Sequence, residues 1–538
     1  MTSTMEPRSD ERAANRSGIP GPYRRRRLGI VVVMILGMLG AGLMRAWSME
    51  YQAAAAGPRG LASSRNTLGN MNSYALALLL GGLRGPLVMF LWTTSESQKV
   101  DRDLEDLDTK IEWIRLLQPE FDTVHLFQMW NKAYNISVMM ASPANKYSVV
   151  MEAIDYGNKV DQERPGDLNI LHALANTYEG KLAAKNLTES AFYMRQFREE
   201  SLTDANRARV FPEESKVFHR LSNMQPLLDE NNHLRRDLTA PTRTKPSQPT
   251  PHGEWNDGST LQYLAKYDPF PYGVSPQAMA YNYGKRAQVA QSTEGQKTLQ
   301  LSPMVIDSQP ALLQKMWAED QAELADAFMA RAFALKLTPG NVLGNNELLS
   351  RIALNQPVVD EDGMKGALYS YGLASRLAAE AIVEFNRHLS DPAYAGRITL
   401  YQAHMDDMAG LTELCAGDRD YLQAMTATVS RPGLIQSAQQ HYKRAMMIYE
   451  RNVMEHYTED VVFRDSRFPT LYNSRAKVHN VPDDQVNDLY QRTTAILQDL
   501  KVPQYVDERR DYTRLVARCT IRLAALSSAR PAGGLLQN

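Results

Sequence analysis

"LLQPEFDTVHLFQMWNKAYNISV", Leu116–Val138, settles what kind of chain this is. Pro119 stops whatever helix precedes it, because proline cannot continue the hydrogen-bond ladder and restricts the residue before it. Beyond it, Phe121, Val124, Phe127, Trp130, Tyr134 and Val138 step by three or four, the spacing that lines one face of an amphipathic helix. The same stepping recurs downstream. Tyr147, Val150, Ile154 and Gly157 mark one further helix, and Leu171, Leu174, Ala175, Tyr178 and Leu182 another, with a break at Arg164–Asp167 between them. No run alternates apolar and polar residues as a half-buried strand does.

Helical hairpins punctuated by proline raise the question of repeats. Ala327, Arg331, Ala334 and Pro339 fit three of the four positions of a tetratricopeptide (TPR) second helix, and so do Ala438, Tyr442, Ala445 and Glu450. Pro119 and Pro165 lie farther apart than the repeat of about 34 residues requires. The expected fold is therefore all-α, with divergent TPR-like helix-turn-helix repeats stacked as an α-solenoid. Each hairpin hides its apolar face only by stacking on the next.

The N-terminal side carries a different signal. Arg24, Arg25, Arg26 and Arg27 run into an apolar stretch, Leu28–Met44, of about 25 Å if helical, and Trp47 follows. This reads as one transmembrane helix over 24–47. The basic flank is cytoplasmic by the positive-inside bias, and the tryptophan sits at the headgroups. The alternative is a cleaved signal ending near Ala54–Gly57. A second stretch, Tyr74–Trp92, carries Arg84 among Gly81, Gly82, Gly85 and Pro86 and reads as two short apolar helices rather than a second span.

The chain is expected to divide into a disordered basic tail (1–23), the span (24–47), a juxtamembrane linker (48–72), an N-terminal TPR-like domain (73–228), a proline-rich linker (229–260), a C-terminal helical domain (261–530) and a flexible tail (531–538). The linker is read from Pro241, Pro246, Pro249 and Pro251 among Thr, Ser and Gly. After it, Ser275 caps a helix that starts at Pro276.

Charge excludes one class of partner. The 538 residues carry a formal net charge of −1. Residues 1–27 hold seven arginines against three acids, so the rest of the chain has 53 basic and 58 acidic residues. A mildly acidic body lacks the basic footprint of a nucleic-acid binder. Cys415 and Cys519 form no CxxC or ligand cluster and read as buried thiols, with a bridge between them as the extracytoplasmic alternative.

Chemistry is scarce. There is no HExxH, GxSxG, Walker loop or strand-linked GxGxxG. His404 with Asp407 is an acid–histidine pair of the kind common on helix surfaces. No catalytic, cofactor or metal residue is assigned, and no cofactor is expected. Asn131 and Asn135, one turn apart on an aromatic helix with Tyr134, are candidates to clamp a peptide. Tyr281 and Tyr283, near Phe270 and Tyr272, are candidates for an aromatic binding lip. Arg24–Arg27 and Trp47 are the anchor residues.

Three blocks, "GGLRGPLVMFLW" (Gly81–Trp92), "LLQPEFDTVHLFQMWNKAYNISV" and "DPFPYGVSPQAMAYNYGKRAQ" (Asp268–Gln288), resemble a group of uncharacterised, planctomycete-type bacterial membrane-anchored proteins with TPR-like helices. The resemblance implies an anchored helical-repeat protein and brings no catalytic residue with it. The sequence as a whole is read as a non-catalytic, single-pass scaffold in the bacterial inner membrane, its N-terminus cytoplasmic and its body periplasmic. Its partners are the bilayer and an unknown protein or peptide. An envelope glycan-acting enzyme and a secreted repeat protein are the alternatives.

Overall fold

The computed structural model describes residues 122–184, 189–212, 224–239, 261–294, 302–338, 342–460, 478–499 and 512–528, with shorter pieces among residues 87–117 and 218–221. The chain divides into two compact units, residues 1–128 and 129–538. In the first, Val88 is buried with Ile114, Leu117 and Val124, and Leu87, Leu91 and Phe127 pack around them.

The described elements are helical: α1 (Asp122–Trp130), α2 (Pro143–Glu163), α3 (Leu168–Thr177), α4 (Ser190–Ser201), α5 (Asp204–Val210), α6 (Pro276–Glu294), α7 (Pro303–Ala332), α8 (Val342–Ser350), α9 (Glu361–Leu389), α10 (Ile398–Thr426), α11 (Arg431–Asp460), α12 (Asp483–Asp499) and α13 (Tyr512–Ser528). Extended pairing among the described residues is limited to one isolated bridge, Leu228 with Leu234. Helix starts follow local chemistry. Ser142, Asp167, Thr203 and Asp360 each accept a backbone N–H of the first turn through the side chain. α6 begins at Pro276, where Ser275 Oγ accepts from Ala278 N.

In the second unit, α6, α7, α9, α10 and α11 stack in chain order, each on the next. The pairs run antiparallel: Gln314 meets Glu380 while Asp307 meets His388, and Asp420 meets Ser437 while Asp406 lies by the far end of α11. Small residues let the backbones approach. A Cβ on Gly366 would lie 2.6 Å from the Phe328 ring. On α10, Gly410 and Gly417 are seven residues apart and seat Tyr449 and Tyr442, also seven apart on α11. Seven residues make nearly two turns, so both rungs fall on one seam.

α13 closes this stack with two arginines. Arg518 reaches Asp326 of α7 (2.9 Å), Asp418 of α10 (2.7 Å), Asn346 of α8 (2.9 Å) and the Tyr371 hydroxyl of α9 (3.0 Å). Arg522 donates to the carbonyls of Ile352 and Leu349 and lies 3.4 Å from Asp418. Arg522 and Asp418 are wholly buried. Burial opposes the Arg518 charge, but Asp326 and Asp418 outweigh it and push its pKa above the ordinary value. Cys415 and Cys519 are buried and unbridged.

Two expectations need correction. α7, α9, α10 and α11 have 29 or 30 residues each, so one helix nearly fills the span of about 34 residues that a TPR hairpin needs. The stack is of long single helices. Ala334, a repeat position by its sequence spacing, lies beyond the end of α7 with φ 54°.

The membrane reading is the second correction. Among the described residues no helix is long and apolar enough to cross a membrane. α10 shows why: at about 43 Å it has the length, but Asp406, Asp407, Glu413, Asp418, Arg419 and Asp420 run along it. Residues 24–47, with Arg24–Arg27 and Trp47, lie outside the described residues. The transmembrane, single-pass topology is thus not supported. The lipid bilayer as partner, the inner-membrane location and the membrane-anchored scaffold function were all built on that span and are likewise not supported.

Candidate metal centre

The α10–α11 seam carries a polar edge beside its glycine–tyrosine rungs. Asp406, Glu413 and Asp420 sit on α10 at seven-residue spacing and so share a face. Each meets a different set from α11. Asp420 accepts the Ser437 hydroxyl at 2.6 Å. Glu413 is reached by His441 Nδ1 at 2.7 Å and by Arg444 Nε at 2.9 Å. At the third position α11 brings another carboxylate, Glu455, and the imidazole comes from the turn before α12: His479 Nε2 lies 3.2 Å from Glu455 Oε2 and 3.4 Å from Asp406 Oδ2.

One ligand atom from each of Asp406, Glu455 and His479 fits within a 4.8 Å group. All three side chains are half-buried. A zinc-type ion with bonds of 2.0–2.1 Å in tetrahedral geometry sets its ligand atoms about 3.3 Å apart. The His479–Glu455 and His479–Asp406 edges, 3.2 and 3.4 Å, bracket that value, and the ligand atoms all lie within 4.8 Å of one another. Two carboxylates and a neutral imidazole carry −2, which a dication cancels. Three protein ligands at a partly exposed position leave a coordination site for water, the arrangement of open rather than closed zinc sites. To ligate, His479 must offer the Nε2 lone pair, with any proton on Nδ1.

The triad escapes sequence reading because its ligands come from three elements. Asp406 and Glu455 are 49 residues apart, and Glu455 and His479 are 24 apart. Neither gap matches a local ligand spacing. His404, the histidine nearest to Asp406 in sequence, is buried against the Phe385 ring at 5.3 Å, and Asp407 takes the Tyr512 hydroxyl at 2.5 Å. One position separates the carboxylate of the triad from the one the sequence singles out.

The candidates from sequence sit elsewhere. Asn131, Tyr134 and Asn135 lie in a π-helical turn, Asn131–Ile136. Asn135 Nδ2 donates to Asn131 Oδ1 at 2.8 Å, while Asn131 Nδ2 is buried without a partner among the described residues. The Tyr134 ring carries Lys181 Nζ 5.1 Å from its centre and stands over Gly180, both in a second π-helical turn, Tyr178–Leu182. Tyr283 stacks on Tyr178 of the same turn and donates to Asn158 at 2.7 Å. Tyr281 packs on Trp317 and Tyr267. Tyr281 and Tyr283 are both buried, and Tyr272 lies against Phe328. The π turn of 178–182 thus brings Tyr134 and Tyr283 to one element.

Next to this turn, His172 is locked in a closed ring of hydrogen bonds. Its Nδ1 donates to Gln309 Oε1 (2.8 Å), Gln309 Nε2 donates to Asn176 Oδ1 (2.7 Å), and Asn176 Nδ2 donates back to His172 Nε2 (2.8 Å). Burial draws the imidazole pKa below its ordinary value, and the Gln309 bond offsets this only in part. The ring joins α3 to α7 and leaves this histidine no lone pair for catalysis.

Compared with family models, with curated proteins and with solved structures, the chain matches none.

Proposed function

We propose that this chain binds a divalent transition-metal ion, with Asp406, Glu455 and His479 as its protein ligands. The observation that carries the reading is the convergence of two carboxylates and one imidazole from α10, α11 and the turn before α12, with all ligand atoms within 4.8 Å and both imidazole–carboxylate edges near those of a tetrahedral site. An imidazole among the ligands favours zinc and its neighbours over magnesium or calcium, which prefer all-oxygen shells. The blocks that resemble uncharacterised planctomycete-type helical-repeat proteins enter this proposal as a relationship alone and assign no ligand.

The test is a competition titration of the purified chain against a fluorescent zinc chelator. One ion per chain is expected. His479→Ala and Glu455→Gln should each weaken binding more than tenfold, a loss of at least about 1.4 kcal/mol. Zinc uptake that is the same in both variants as in the parent refutes the proposal.

A further inference from the structure

We infer that the metal ion controls how firmly α12 is docked. This rests on the metal-binding reading above and adds a consequence to it. α12 lies on α11. Its apolar side, Val486 and Tyr490, is buried there with Val478 and Val481 of the preceding turn. Its polar attachments are also to α11: Arg451 donates to the Val481 carbonyl (3.0 Å) and to Asp483 (2.6 Å), and Asn487 donates to Glu450 (2.7 Å). His479 belongs to that same turn, four residues before α12 begins.

A metal bound by His479, Glu455 and Asp406 adds α10 to the helices that hold α12 in place. His479 leaves the site when the turn lifts, so an opening that lifts the turn together with α12 must first release the ion. A ligand bound only to the closed form multiplies the closed population by one plus the ratio of its concentration to its dissociation constant. With zinc at 100 times that constant, exchange of the α12 amides through such openings slows about 100-fold. The metal is in this sense a removable fastener for one helix, and the rest of the stack does not depend on it.

Hydrogen exchange on the full-length chain tests this, with mass-spectrometric readout of residues 487–495 in zinc chloride and in EDTA. Residues 366–381 of α9 serve as the internal reference. The expected result is slowing of about 100-fold in α12, none in α9, and loss of the α12 effect in His479→Gln. Far-UV circular dichroism of that variant checks that its helices remain. If zinc binds in a His479-dependent way and α12 exchange does not change, the inference is overturned while the metal site stands. If no His479-dependent zinc binding is found, both fall.

Discussion

Arg518→Met removes the centre of the charge network under α13. The guanidinium makes five hydrogen bonds to Asp326, Asp418, Asn346 and Tyr371, all at 2.7–3.3 Å. Methionine keeps much of the apolar length and none of the donors. Asp418 is then left, fully buried, with the Tyr442 hydroxyl at 2.8 Å and Arg522 at 3.4 Å, while Asp326 keeps Tyr371. Removing one partner from a fully buried ion pair costs about 3–5 kcal/mol; Asp418 keeps Arg522 and Asp326 keeps some contact with water, so a loss of about 2–3 kcal/mol is expected here. Whole domains are stable by only about 5–15 kcal/mol, so the loss is a large fraction.

The double variant Arg518→Met, Asp326→Asn removes the Asp326 charge as well and leaves Asp418 its Arg522 partner, and it should recover part of the deficit. Urea titrations followed by tryptophan fluorescence and far-UV circular dichroism make the comparison. An Arg518→Met chain within about 0.5 kcal/mol of the parent would refute the reasoning. So would a double variant less stable than the single one, since that would make the lost donors, and not the unpaired Asp326 carboxylate, the source of the cost.

Gly410→Ala puts a methyl 2.5 Å from the Tyr449 ring and should cost about 1–3 kcal/mol in the same titrations, whereas Gly433→Ala, with nothing within 4 Å, should be neutral or slightly stabilising. His172 gives a pH dependence. Its folded pKa lies below the unfolded value of about 6.5, so its contribution is fully present above that pH and is lost as pH falls toward the folded pKa. The fall in urea stability between pH 7.5 and 5.5 should therefore be shallower in His172→Gln, and an unchanged slope would rule the closed ring out as a pH-sensitive element.

The helical class was readable because apolar spacing reports helices directly, and Ser275–Pro276 marks a start that local chemistry alone dictates. Other features depend on tertiary structure. The sequence places Tyr134 on the stripe of Trp130, and the two rings do stack at 6.4 Å, but only the structure shows the π-helical turn at Asn131–Ile136 and the contact of Tyr134 with Gly180 and Lys181. Ala438, Tyr442 and Ala445 look like a repeat signature. They are buried, and what they record is a tyrosine lying on the Gly417 backbone with its hydroxyl on Asp418. The same small–aromatic spacing serves any two helices that approach closely. The candidate cluster of Asp406, Glu455 and His479 left no trace in the sequence, since the three side chains meet only after α10, α11 and the turn before α12 have packed.

The α13 arginines also bear on how the chain is made. Asp326 meets its guanidinium partner 192 residues later in the chain. At a synthesis rate of roughly 5–20 residues per second, α7 waits on the order of 10–40 s for Arg518 to be made. Asp418 joins it only for the last 100 residues of that interval, when α7, α9 and α10 carry two carboxylates without their shared arginine. Consolidation of the core is therefore an event of late translation, and a ribosome stalled before α13 would carry a nascent chain that is helical yet exposed to chaperones and proteases.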